Sequence, residues 1–340
     1  MAPTIYDVAD KAGVSIKTVS RVMNAMPNVR PETRDLVMSA VAALNYRPNI
    51  SARSLAKARS FLIAVFFDNP SAGYVTEFQL GAIARCREAG FHLTMEPIDA
   101  LAPDLDGIVL PLISALRVDG VILTSPVSDN QLVLQVLQDS GTPYVRIAPD
   151  QVQGGAPEVR MDDVQAAYEM TRHLIDLGHR DIGFIRGHPT HSAARLRFDG
   201  FCKAMADRGL EVRDRWIQQG FFSFRSGFEC AEALLSASDR PTAIFASNDD
   251  MALGAMAMAY RLGLNIPNDL SIAGFDDTPA GSVMWPQLTT VRQPIFDMGA
   301  AAADLIISGE AKAALAAHNC PSRVLEFRII ARESTAPPPN

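Results

Sequence analysis

The chain has 340 residues, of which 48% are apolar and 20% charged, which suits a soluble globular protein of two or three domains. A net charge of −7 would argue against nucleic acid if evenly spread, but residues 1–59 hold nine Lys/Arg against four Asp/Glu, so +5 sits there and −12 on the rest. Four widely spaced cysteines (Cys86, Cys202, Cys230, Cys320) argue against a disulfide framework or zinc site, and no leader or membrane-length apolar run is present, so a cytoplasmic protein without membrane partner is expected.

In chain order, Thr4 and Asp7 make a T-x-x-D helix start, whose hydroxyl and carboxylate can hold free backbone N–H groups. Ile5, Val8, Ala9 and Ala12 then fall on one helical face, kept shallow by alanine so that another helix can come close. Gly13 is the stop, and Ser15 caps a second helix over about 16–23. There Val19 and Val22 point back to the first helix, leaving Ile16, Lys17, Ser20 and Arg21 outward. A third helix over about 31–44 buries Leu36, Val37, Ala40, Val41 and Leu44. Two short helices about a tight turn, with basic residues on the second, have the shape that lays a helix in the DNA major groove. Three short helices also form structural caps and protein-docking modules, the alternative to a DNA reader.

Two phrases narrow the choice: T-I-Y-D-V-A-x-x-A-G-V-S-x-x-T-V-S-R-V-x-N over residues 4–24, and N-Y-x-P-N-x-x-A-R-S-L over 45–55. With them the segment resembles the LacI/GalR family of bacterial transcription repressors. The resemblance implies that Ile16, Lys17 and Arg21 face base edges, Lys and Arg being suited to guanine O6 and N7. It implies that Ser15, Thr18, Ser20 and Asn24 hold phosphates, and that Thr4, Asn28 and Tyr46 add to the DNA-binding face. Residues 1–48 would be the helix-turn-helix domain and 49–60 a hinge helix and linker that orders on the operator. There Ala52, Arg53 and Ala56 would touch DNA, and Leu55 would be an apolar wedge in the minor groove. Where the family usually has a small hydroxyl residue before Pro31, this chain has Arg30, a weaker cap that offers a phosphate contact instead.

The remainder alternates strands and helices. Residues 61–67 form an apolar run suited to a buried parallel strand, followed by a helix over about 75–89 with Val75, Phe78, Ala82 and Cys86 on one face and Gly90 as its stop. Further strands are expected at 118–124 and 143–147, with a helix between them. The order recurs with a strand at 181–185, a helix at 197–208 carrying Phe201 and Met205 inward, a stop at Gly209, and strands at 242–246 and 270–275. The expected fold is a small all-α helix-turn-helix domain plus an α/β core of two doubly wound parallel-sheet lobes. The family resemblance extends to this core, as a periplasmic-binding-protein-like domain over 61–335. It implies interleaved lobes, one of about 61–160 and 292–321, the other of about 162–290 and 323–335.

Doubly wound sheets bind ligands at the carboxyl ends of their strands. The candidates there are Arg197, Asn248, Asp249, Asp276 and Asp162, although Asp and Asn are also common caps and turn formers. The resemblance places at Arg197 an arginine that grips ligand oxygens. Forked arginine, carboxylate and amide groups engage vicinal hydroxyls in pairs, so a sugar or glycoside is the expected effector. Tyr74, Phe222 and Trp285 offer apolar faces for a ring, and His191 a position that tunes specificity. A purine remains open, because stacking aromatics and Arg serve it as well.

An enzyme is not expected: adjacent carboxylates such as Asp162-Asp163, Asp249-Asp250 and Asp276-Asp277 point to opposite sides of an extended segment. Nor is there a P-loop, G-x-S-x-G or H-E-x-x-H motif, and no cofactor or metal is expected. A transport binding protein would need an export signal and would have no use for the first sixty residues. The expected partners are a near-palindromic DNA duplex, a small effector and a second copy of the chain. The expected location is the bacterial cytoplasm, on the nucleoid.

Overall fold

The computed structural model describes residues 3–23, 26, 29–46, 59–150, 155–236 and 239–339. Asn24, Asn28, Ala52, Arg53, Leu55, Ala56 and residues 49–58 of the hinge helix and linker expected at 49–60 lie outside the described residues. The chain divides into two compact units, 1–61 and 62–340.

The first unit holds α1 (Ile5–Ala12), α2 (Ile16–Met23) and α3 (Pro31–Ala43). At the start of α1 the Thr4 hydroxyl accepts from the Asp7 N–H and the Asp7 carboxylate accepts from the Thr4 N–H, so the expected capping pair is reciprocal. Gly13 ends α1 with φ +64°, a conformation that a Cβ resists. Val8, Ala9, Val19, Val22, Val37 and Ala40 form the closed core. Leu36 does not join them: it is 58% exposed. It precedes Val37 by one residue, about 100° round the helix, and Val37 and Ala40 already face inward. Arg30 gives α3 no side-chain cap, and Pro31 serves in the first turn instead.

In the second unit the first lobe begins with β1 (Leu62–Phe67), α4 (Ala72–Ala89), β2 (His92–Pro97), α5 (Leu105–Leu116) and β3 (Gly120–Leu123). It continues with α6 (Gln131–Asp139), β4 (Tyr144–Ile147) and β5 (Glu158–Arg160). The second lobe holds α7 (Asp163–Asp176), β6 (Ile182–Arg186), α8 (Ser192–Asp207), β7 (Ile217–Gln219), α9 (Phe224–Leu235) and β8 (Ala243–Ala246). Then come α10 (Asp249–Arg261), β9 (Ser271–Asp276), α11 (Pro279–Val283) and β10 (Thr289–Arg292). The chain returns to the first lobe for α12 (Ile295–Ile307), α13 (Glu310–Ala317) and β11 (Ser322–Val324), and ends in the second with β12 (Arg328–Ile330).

The two sheets run β2-β1-β3-β4-β5-β11 and β7-β6-β8-β9-β10-β12. All pairings are parallel except β12 on β10, which is antiparallel at the sheet edge. The strand order reverses between β1 and β3 and between β6 and β8, which places the switch point of each lobe beside the other lobe's candidate residues. The first-lobe return reaches Val324, three residues beyond the boundary implied by the family resemblance, because Ser322–Val324 still pairs with Glu158–Arg160.

Central strands are buried on both faces, which is why β1 and β8 read as unbroken apolar runs. Phe184, Phe245 and Phe275 enter one core cluster, while the alternate Ile185, Ile244 and Ile272 enter the other. Helices meet where glycine removes the side chain: a Cβ on Gly81 of α4 would stand 1.9 Å from the Phe296 carbonyl oxygen of α12, and one on Gly299 2.2 Å from that of Phe78. The helix expected to open at Arg197 starts five residues earlier at Ser192, so Arg197 lies in its second turn and is buried. Ala193 and Ala194 favour helix, and the turn that ends the preceding loop closes at His191 rather than at Leu196.

Candidate functional site

Two places gather the candidate side chains, and they are described separately. On the first unit, burial of Val19 and Val22 fixes the rotation of α2, so Lys17 and Arg21 are exposed and Ile16 is 40% exposed on the opposite side. The Ser15 hydroxyl accepts from the Thr18 N–H at 3.2 Å and shares a 2.9 Å hydrogen bond with the Thr18 hydroxyl, so this pair caps α2. The Thr4 hydroxyl is likewise engaged, donating to Asp7 at 2.8 Å. Ser20 is partly buried and Arg30 is exposed. Tyr46 packs half-buried on the three-helix core, and burial raises its phenol pKa. The face left for a ligand is therefore an apolar residue flanked by two long cations.

In the second unit a cleft between the lobes is walled by Asn69, Ser71, Tyr74, Ser125, Ala148, Asp163, His191, Ala193, Arg197, Phe222, Asn248, Asp276 and Gln293. Of the residues expected from sequence it brings together Tyr74, His191, Arg197, Phe222, Asn248 and Asp276. Arg197 is its hub. Nε donates to the Asp163 carboxylate at 2.9 Å and an Nη donates to the Ser247 carbonyl at 2.6 Å. The same terminal nitrogen stands 3.8 Å from the Asp276 carboxylate, and the guanidinium carbon lies 3.7 Å from the centre of the Phe275 ring.

Asp276 ends β9 with φ +124° and accepts from the Gln293 amide at 2.5 Å. Burial raises the pKa of Asp276 well above the usual carboxylate range, opposed by Arg197 and reinforced by the neighbouring Asp249 charge. Asp163 is raised too, by burial first and against Arg197. Two buried carboxyl groups thus share one guanidinium. His191 is pushed down to about 3 by burial, with His188 and Arg197 adding to the effect, so its ring is neutral. The Asn248 amide donates to the Phe222 carbonyl at 3.1 Å, and its oxygen caps α10 through the Met251 N–H at 3.0 Å.

Three wall residues, Ala148, Phe222 and Asp276, have positive φ without being glycine (+45°, +56° and +124°). Such conformations cost of order 1–3 kcal/mol each and collect at binding sites. The hydroxyl oxygen of Ser125 is the one buried side-chain polar atom without a hydrogen-bond partner among the described residues, and Ser125 lines the cleft.

Three expected residues stand elsewhere. Asp162 caps α7, accepting from the Gln165 N–H at 2.9 Å, and the carboxylate in the cleft is that of the next residue, Asp163. Asp249 is fully buried behind the wall, accepting from the Thr278 N–H at 2.7 Å and from the Thr290 hydroxyl at 2.6 Å. It pins the turn that follows Asp276, and burial pushes its pKa up to about 7. Trp285 is 78% exposed, and its carbonyl accepts from the Tyr260 hydroxyl at 2.8 Å. Sequence reasoning missed Asn69, Ser71, Ser125, Ala148, Asp163, Ala193 and Gln293 as wall residues.

The family model for bacterial regulatory proteins of the lacI family matches residues 4–49, and that of the periplasmic binding protein-like domain matches 171–335. Catabolite control protein A of Priestia megaterium is 38% identical over 309 residues, covering 90% of this chain and 92% of its own. The HTH-type transcriptional repressor PurR of Pasteurella multocida is 34% identical, with 89% and 90% covered. Among solved structures, the Lac repressor dimer bound to operator and the anti-inducer ONPF matches with TM-score 0.79 and 28% identity over 99% of this chain and 100% of that one. The complex of the transcriptional regulator CelR with cellobiose matches with TM-score 0.73 and 29% identity, covering 98% and 99%.

Proposed function

The chain belongs to the LacI family of bacterial regulatory proteins, and from that premise we propose a homodimeric repressor whose grip on a near-palindromic operator is set by a neutral sugar or glycoside held between its lobes. The outward triplet Ile16, Lys17 and Arg21 over a core closed by Val19 and Val22 is what a recognition helix requires. Thr4, Ser20, Arg30 and Tyr46, with Asn24, Asn28 and the hinge residues Ala52, Arg53, Leu55 and Ala56, are assigned to the same DNA contact. The protein acts where the DNA is, in the cytoplasm on the nucleoid. Ligand and operator communicate by a coupling of about 1–3 kcal/mol that works equally in both directions.

The observation that carries the effector reading is the state of the polar wall. Ser125 Oγ is buried and unpartnered, while Asp163 and Asp276 outnumber Arg197. A wall with surplus carboxylate and an orphaned hydroxyl asks for a ligand rich in O–H donors and free of negative charge. Neutral sugars have that character, and CelR, a structural neighbour, is seen with cellobiose. A purine corepressor is the second reading, favoured by the Tyr74 and Phe222 rings in the wall and by PurR relatives.

Catalysis does not belong to this reading, because neighbouring carboxylates serve separate tasks. Asp162 caps a helix while Asp163 holds Arg197, and Asp276 takes Gln293 while Asp277 takes Arg292 and Arg332, each at 2.5 Å. The test is a selection of randomised duplexes by the full chain, followed by gel shifts with neutral sugars and purine bases. Enrichment of a near-palindrome and its release or retention by a sugar are expected. Failure to retain any duplex overturns the regulator, and a response to purines alone overturns the sugar.

A further inference from the structure

Outside the polar wall the cleft widens into a mouth of about 470 Å³, against about 40 Å³ within. The mouth is formed at the carboxyl ends of strands from both lobes, with Asp99 and Leu101 beyond β2 and His188 and Phe221 beyond β6 and β7. Asn69 and His191 line both spaces, so the two adjoin across these side chains. A file of rings joins them: Phe222 to His191 at 5.4 Å, His191 to His188 at 5.4 Å, and His188 to Phe221 at 5.5 Å between centroids. Two consecutive phenylalanines thus stand at opposite ends of this file, and Phe222 has a positive φ of +56°. Phe222 is 5% exposed at the inner end, and Phe221 is 46% exposed at the outer. Across the mouth Leu101 is 72% exposed.

Large apolar side chains left open beside a pocket mark a surface that a ligand covers. No lysine or arginine lines the mouth among the described residues, whereas Asp68 and Asp99 do, which disfavours a phosphate or uronate there. A sugar ring matches what remains, since its C–H face packs on an aromatic ring while its hydroxyls stay in water or meet carboxylates. We propose that this mouth is a second carbohydrate subsite, so that the effector is a neutral glycoside of at least two rings, one on the Arg197 wall and the next between Phe221 and Leu101. The assignment rests on the sugar reading of the inner wall.

The test is calorimetric titration of the full chain with glucose, galactose, mannose and ribose, and with cellobiose, maltose, lactose and trehalose, repeated for Phe221→Ser and Leu101→Ser. Both substitutions are at exposed positions, and circular dichroism checks that the fold is kept. At least one disaccharide is expected to bind about tenfold tighter than its component monosaccharides. Each variant is expected to lower that ratio about five- to tenfold. Equal affinity for mono- and disaccharide, or a ratio unmoved in both variants, overturns the subsite while leaving the inner sugar site intact. Binding of no carbohydrate overturns the sugar reading itself, and the subsite with it.

Discussion

Replacing Arg197 by alanine tests the electrostatic design of the cleft more directly than any ligand does. In the native protein Arg197 is 5% exposed, and its guanidinium answers Asp163 at 2.9 Å, Asp276 at 3.8 Å and the Ser247 carbonyl at 2.6 Å. Its loss leaves two buried carboxyl groups without a cation, and removing one partner of a buried ion pair costs about 3–5 kcal/mol. The deficit depends on pH with a definite sign. Asp163 and Asp276 already have pKa values raised by burial, with Arg197 the main opposing influence. Without Arg197 both rise further, so the folded variant keeps protons that the unfolded chain releases above about pH 4. Stability of the variant then falls as pH rises, by about 1.4 kcal/mol per pH unit for each retained proton. The deficit against wild type is expected to be larger at pH 8 than at pH 5.

Urea unfolding at pH 5, 6.5 and 8, read by tryptophan fluorescence, measures this, because both tryptophans, Trp216 and Trp285, lie in the lobe that carries Arg197. Adding Asp163→Asn to the variant removes one stranded charge and is expected to recover part of the deficit, whereas Asp163→Asn alone destabilises. A deficit below about 1 kcal/mol, or one identical at pH 5 and pH 8, refutes the argument.

Four further outcomes are expected. Asp249→Asn removes a group whose pKa is near 7 in the fold, so the decline of wild-type stability as pH rises from about 4 to 7 flattens in the variant, seen by thermal melts across that range. Ser125→Ala deletes an unpartnered buried hydroxyl, so thermal stability holds or rises while effector affinity drops about five- to tenfold by calorimetry. Lys17→Ala weakens operator binding and, if Lys17 neutralises a phosphate, lowers the log-log salt slope by about 1 in gel shifts, whereas a base-edge contact shows instead as relaxed sequence preference. Leu55→Ala lowers operator affinity in the same assay, and unchanged affinity removes the wedge assigned to it.

The legible parts of the fold are those where one face is apolar at a fixed period. Val8, Ala9, Val19 and Val22 announce their core, and β1 and β8 stand out as continuous apolar runs, while β9 carries a shorter one between Ser271 and Asp276. Edge strands carry no such signal: His92–Pro97 and Ser322–Val324 hold no fully buried residue and no unbroken apolar run. Leu36 misled because leucine suggests burial at any position of a helix, and only the rotation set by Val37 excludes it. The cleft was legible at single-residue precision only where the backbone allowed one reading. Beyond a strand end, Asp162 and Asp163 are equal candidates until the start of α7 assigns one to the cap and the other to Arg197. Asn69, Ser125 and Ala148 were within reach, since each follows a strand at its carboxyl end, the place the doubly wound rule names. Gln293 follows β10 in the same way, where parallel pairing with β9 sets Arg292 opposite Asp276, but the residues of β10, Thr-Thr-Val-Arg, carry no apolar run to mark the strand.

The contacts that close the cleft edge are weak by construction, and this is what leaves control to the ligand. Arg195 of the second lobe pairs with Asp150 of the first, but the two side chains are 53% and 35% exposed, so the pair is worth about 0–1 kcal/mol. Beside it the Ser192 hydroxyl donates to the Ala148 carbonyl at 2.9 Å, a bond of about 0.5–1.5 kcal/mol. Behind them the first lobe is rigid: Arg146, wholly buried, donates to Ser128, Asp129 and Glu158 at 2.7–3.0 Å, and Asp129 in turn accepts from the Asp150 N–H at 3.0 Å. A stiff support with a soft latch holds the lobe angle by contacts no stronger than the coupling of about 1–3 kcal/mol that an effector can supply. An effector that gives Ser125 on one lobe its missing partner while bonding Arg197 and Asp276 on the other has differential affinity for the closed arrangement, which is the only property by which a ligand shifts such an equilibrium.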